Sequence, residues 1–220
     1  ARAAAIKHNL ATAVFSLEMS RTEITMRILS AEATIQLQDL RKGLKSQDQW
    51  NKLARIMGKI SDSPLFIDDS PNMSLMEIRA KCRRLKQQHN LKMVIIDYLQ
   101  LMSSGKKVES RQQEVAEFSR ALKLLAKELE VTVIAISQLN RGPEQRTDKR
   151  PQMSDLRESG SIEQDADVVI LLHRDRPDPE RDGEADVIVA KHRNGPTKDI
   201  VLAFQGHYSR FNNMARDRGF

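Results

Sequence analysis

The 220-residue sequence has a single cysteine, nine glycines, seven prolines and aromatics at only 4% of its positions. One thiol, Cys82, excludes an intrachain disulfide framework and fits a reducing cytosol. So few aromatics leave a core of Leu, Ile, Val, Ala and Met, and few flat platforms on which nucleic-acid bases could stack. No apolar run is long enough to cross a bilayer and no secretory leader opens the sequence. The expected compartment is therefore the cytoplasm, with no membrane partner. No Pro/Gly/Ser-rich tract divides the chain and no internal repeat stands out, so residues 1–220 read as one domain. Charge of one sign is also lacking: 36 Lys and Arg stand against 30 Asp and Glu, with a pI near 9.5. That excess permits an anionic partner without requiring one.

What is present is an alternation of short apolar runs and helical periods. Thr12 to Leu17, Leu65 to Ile67, Met93 to Ile96 and Val131 to Ile136 read as buried strands. Ser20-x-x-Glu23, Ser46-x-x-Gln49 and Ser74-x-x-Glu77 have capping-box spacing: the serine accepts from an orphan helix N–H and the acid or amide reaches back. A longer helical period runs from Ser110 to Glu130 through Val115, Phe118, Leu122, Leu125 and Leu129. The first residues, Ala1 to Ala5, read as the middle of a helix. Asn140 to Gly160 is polar and reads as a long loop. Val168 to Leu172 is expected to resume the sheet. Ala185 to Ala190 and Ile200 to Phe204 flank Asn194-Gly195-Pro196, which predicts a hairpin at the C-terminal edge. The fold class that follows is α/β: a mainly parallel twisted sheet, helices on both faces and a C-terminal β-hairpin.

Three polar residues end three of these strands. Met93-Val94-Ile95-Ile96-Asp97 has the form of a Walker B element, in which a carboxylate at the carboxyl end of a buried strand holds Mg²⁺ beside nucleotide phosphates. Glu18, after Phe15-Ser16-Leu17, could orient and deprotonate an attacking water. Gln138, after Ile136-Ser137, could contact a γ-phosphate. Each alone also reads as a cap or turn residue; their convergence on one sheet edge is what points to a nucleotide site. Asp68-Asp69 has no His or Cys partner at metal-ligand spacing, the five histidines are scattered, and Trp50 reads as a packing residue in a helix. Arg146, Lys149, Arg150, Lys106, Lys107 and Arg111 read as solvated loop cations.

The stretches FSLEMS, IIDYLQLM, SQLNR, DLRESGSIEQDAD and KHRNGP, in this order, resemble the successive motifs of the DnaB-type replicative helicases across essentially the whole chain. The resemblance implies a RecA-like motor domain using ATP and Mg²⁺. It implies water activation by Glu18, Mg²⁺ contact by Asp97, γ-phosphate sensing by Gln138 and a finger, Arg193, reaching into the neighbouring subunit's site with Lys191 beside it. Arg157, Glu158 and Gly160 match a loop that grips single-stranded DNA. The implied partners are single-stranded DNA, a homo-hexameric ring, primase and a helicase loader, with travel 5′ to 3′. A RecA-class recombinase and a non-catalytic DNA- or partner-binding module are the alternatives. The sequence departs from the family in one respect: it contains no G-x-x-x-x-G-K-[ST] phosphate-binding loop. The expectation is a domain cut just downstream of that loop and its strand, inactive by itself and exposing apolar sheet edges.

Overall fold

A computed structural model describes residues 1–103, 110–156, 160–174 and 181–214. The chain opens on one wide helical turn, Ala3–Lys7, tied to the next helix by an Arg2–Glu32 ion pair of 2.7 Å. It then builds a parallel sheet from β1 (Thr12–Ser16), β2 (Leu65–Asp68), β3 (Met93–Asp97) and β4 (Thr132–Ala135), in the order β2-β1-β3-β4. The helices between them are α1 (Arg21–Ala33), α2 (Leu37–Lys42), α3 (Gln47–Ser61), α4 (Leu75–His89) and α5 (Arg111–Leu129). Ser20 and Ser74 form complete capping boxes with Glu23 and Glu77. Ser46 accepts from Gln49 N, but the Gln49 amide reaches one residue further, to Lys45 N at 2.8 Å. α2, too short to show a period, was not legible in the sequence.

All five residues of β1 are buried, and on β3 burial alternates. Ala13, Phe15, Val94 and Ile96 share a core with Ile78 and Cys82 of α4 and Phe118, Leu122 and Leu125 of α5. Cys82 is fully buried, and desolvation pushes its thiol up to about 12. Strand alternation puts Thr12, Val14 and Ser16 on the opposite face, with Met93, Ile95 and Asp97.

Val168–His173 (β5) does not resume the parallel sheet. It opens a second, antiparallel sheet with β6 (Glu184–His192), β7 (Lys198–Gln205) and β8 (Arg210–Asn213), in the order β5-β6-β7-β8. Only Val169 and Leu171 of its apolar run are buried, whereas Val168, Ile170 and Leu172 are exposed. An unbroken apolar run reads like a strand covered on both faces, although this one is covered on one. The expected hairpin is β6–β7. It turns tightly at Gly195, where a Cβ would meet the His192 ring at 2.5 Å. The polar stretch after β4 carries two short helices, α6 (Gly142–Gln145) and α7 (Gly160–Asp165). Trp50 departs from its expected packing role: it is 55% exposed on α3. Apolar side chains are also exposed along and just beyond β4, at Ile134 and Ile136, as expected of an edge that lacks a neighbour.

Candidate functional site

The carboxyl ends of β1, β3 and β4 meet at one edge of the parallel sheet. Asp97 closes β3 in register with Ser16, and Leu17 N donates to Asp97 O at 2.7 Å. β1 then turns away: Met19 N donates to Ser16 Oγ at 3.1 Å, which leaves Glu18 exposed just above the strand end. Asp97 is half-buried, and neither carboxylate has a hydrogen bond or ion pair among the described residues. Burial first, and the nearby Glu18 charge second, hold the Asp97 carboxyl above its usual range.

β4 continues beside β3 past its last ladder residue, with Ile136 N to Ile96 O at 2.9 Å and Leu99 N to Ile136 O at 3.0 Å. This carries Gln138 to the same edge, where its side-chain amide is unengaged among the described residues. Its backbone is held by Gln100: Nε2 donates to Ser137 Oγ at 2.8 Å and Gln138 O at 3.3 Å, while Oε1 accepts from Gln138 N at 3.3 Å. Gln100 is in turn fixed by Arg111, which donates to the carbonyls of Gln100 and Met102 at 2.6 and 3.0 Å and pairs with Glu114. Sequence reasoning missed Gln100 and left Arg111 as a solvated cation. The partners are mostly backbone atoms, which leave no residue pattern to read.

The cations stand on the other sheet. Lys191, in β6, donates to the carbonyls of Glu163 and Gln164 at 2.5 and 3.4 Å, closing the last turn of α7. Arg193 follows the end of β6; its N–H donates to Asp167 O at 2.8 Å and its guanidinium lies 3.3 Å from the Asp167 carboxylate. That carboxylate also pairs with Lys123 of α5, whose hydrogen bond is the main reason it is held below the usual range. Neither Lys191 nor Arg193 contacts Glu18, Asp97 or Gln138 among the described interactions.

Arg157 and Glu158 lie outside the described residues. Gly160 opens α7, and a Cβ there would meet nothing within 4 Å. The loop before it is less solvated than its composition suggests. Arg146 bonds the buried Asp155 carboxylate and Arg150 O, and Arg150 reaches Asp199 and Asp186. Gly142 N donates to Asn140 Oδ1 at 2.6 Å, and a Cβ on Gly142 would fall 2.7 Å from that same oxygen.

No group of three or more His, Cys, Asp and Glu that could hold a metal occurs among the described residues. Asp68 and Asp69 are engaged by Lys81 and Arg21. Glu18 and Asp97 alone therefore do not form a metal cage. Two neighbouring, unpaired carboxylates, one half-buried, do fit a divalent cation that shares its coordination with a bound phosphate. Mg²⁺ is commonly held in this way.

Residues 1–213 match the family model described as the DnaB-like helicase C terminal domain. The chain is 72% identical over 218 residues to the replicative DNA helicase DnaB of Leifsonia xyli subsp. xyli, covering 98% of this chain and 48% of that protein. It is 53% identical over 216 residues to the Geobacillus stearothermophilus DnaB, covering 96% and 48%. Among solved structures, an isolated ATPase domain superposes with a TM-score of 0.90 at 40% identity, over 94% of this chain and 76% of that one. A DnaB-like replicative helicase, solved in a study of its interactions with primase, gives 0.89 at 40% identity, over 94% and 53%. The chain spans about half the length of the curated relatives it matches. By the span of the family match and the four parallel strands that carry its motifs, the chain belongs to the DnaB-like helicase C-terminal domain family.

Proposed function

We propose that this chain is the RecA-like motor of a replicative DNA helicase, one domain over residues 1–220, coupling ATP hydrolysis to 5′-to-3′ travel on single-stranded DNA and to duplex unwinding at the fork. The observation that carries the reading is the meeting of Glu18 and Asp97 at the ends of adjacent parallel strands, with Gln138 on the next strand. Bound Mg²⁺–ATP supplies an electrophilic γ-phosphorus whose developing charge needs neutralising. Asp97 would hold the ion. Glu18, exposed above it, would align a water and take its proton. The free amide of Gln138 would contact the γ-phosphate, and the Gln100 clamp on its backbone would keep that amide in place.

Arg193 and Lys191 lie on the other sheet, away from their own carboxylates. That placement suits a finger offered to a neighbouring copy, which makes hydrolysis depend on a homo-hexameric ring. The loop around Arg157, Glu158 and Gly160 would grip the phosphate backbone of single-stranded DNA. Primase and a helicase loader are the proposed protein partners, and one structural relative was solved in a study of its primase interactions.

The test is Glu18→Gln in the full-length protein. Hydrolysis should fall by about 10²-fold or more while nucleotide binding persists. Undiminished turnover would remove Glu18 from this role. Reading the coding sequence just upstream of Ala1 for G-x-x-x-x-G-K-[ST] checks the nucleotide site independently.

A further inference from the structure

We propose that Asp167 is a positioning residue for Arg193, presenting its guanidinium to the neighbouring subunit's nucleotide site; this rests on the reading of Arg193 as a finger acting in trans. Asp167 stands one residue before β5 and receives Arg193 twice, through the backbone N–H at 2.8 Å and through the guanidinium at 3.3 Å. The other carboxylate oxygen is taken by Lys123, which anchors Asp167 to α5. Lys191, two residues before Arg193, is fixed separately on the end of α7. The last residues of β6 are thus held from two sides, by α5 through Asp167 and by α7 through Lys191.

Exposure argues that this pair acts through geometry rather than stability. The Arg193 and Asp167 side chains are 52% and 55% exposed, and ion pairs this wet contribute little to folding. A long arginine side chain in solvent otherwise samples many rotamers, and a finger is effective only when its charge arrives aimed. One carboxylate facing both Lys123 and Arg193 holds neither tightly. Arg193 is therefore aimed but remains releasable to a phosphate.

The experiment uses the full-length protein and mixed rings. Asp167→Asn should lower kcat for ATP by about 10- to 10²-fold with KM nearly unchanged, a smaller loss than the roughly 10³-fold expected for Arg193→Ala. Asp167→Asn subunits keep an intact nucleotide site, whereas Glu18→Gln subunits keep an intact finger. Mixing the two should therefore restore turnover at junctions where each supplies what the other lacks. The same mixing with Arg193→Ala subunits serves as the control. Turnover that is unchanged or raised in Asp167→Asn overturns the proposal, the raised case meaning that Asp167 restrains the finger. Rescue of Arg193→Ala without rescue of Asp167→Asn assigns Asp167 a merely structural role and leaves the finger reading intact. Failure to rescue Arg193→Ala removes the trans finger, and this inference falls with it.

Discussion

In the parallel sheet every residue of β1 is buried, and its core draws on two long helices. In the antiparallel sheet β5 buries alternate residues only, and the cluster beneath it is Leu156, Val169, Leu171 and Ile188. Charge fills the gap there: Arg181 grips the buried Asp186 at 2.6 Å, Arg150 reaches Asp186 and Asp199, and Arg146 holds Asp155. One half is ordered mainly by removing apolar surface from water, the other largely by directional polar contacts. The proposed chemistry divides the same way, with carboxylates at the edge of the first half and cations at the edge of the second. A rigid apolar layer suits groups that must stay fixed around a reacting phosphate. A polar, partly wet layer suits groups that must be handed to another molecule.

The largest effect should come from the apolar half. Phe118→Ala, which empties a side-chain position 1% exposed, is expected to cost about 3–5 kcal/mol in urea unfolding, and Leu171→Ala about 2. Equal costs would break the comparison. Next comes Asp186→Asn, expected to cost about 1–2 kcal/mol once screening of the part-exposed Arg181 is counted. Arg181 holds the Asp186 carboxyl below the usual range and Arg146 does the same for Asp155, in both cases against a burial effect that raises it. Their contribution is therefore fully present above the ordinary aspartate value of about 4 and lost as pH falls through the depressed values. Amide chemical shifts followed during acidification should report loss of order in β5 to β8 before β1 to β4. The smallest effect has the opposite sign. Asp97 is raised, so whatever it contributes is present in acid and lost as pH rises through its raised value. Asp97→Asn should therefore slightly raise Tm at neutral pH in Mg²⁺-free buffer, with the gain fading in acid.

The sequence exposed these two halves unequally. Ser20 and Ser74 announced their helices because a capping box is a local hydrogen-bond cycle, closed within four residues. β3 was legible because its apolar run ends in an acid. The second sheet was partly hidden, because Val168 to Leu172 is apolar at positions that face solvent as well as at those that face the core. The site residues at strand ends were legible one by one, and their meeting followed from parallel pairing. Gln100 and Asp167 were not singled out. Gln100 acts mostly on backbone atoms, and the partners of Asp167 lie far away in sequence, at Lys123 and Arg193. The Asp165-Ala166-Asp167 triplet just ahead of an apolar strand was the available signal.

The buried thiol has a practical use. With its thiolate withheld by a dry surrounding and no surface cysteine to compete, Cys82 should stay silent toward maleimides at neutral pH. A cysteine introduced at an exposed position such as Met76, 82% exposed, would then be the sole label on each copy. Distances between copies in a ring could be measured by fluorescence without first removing the native residue from the core.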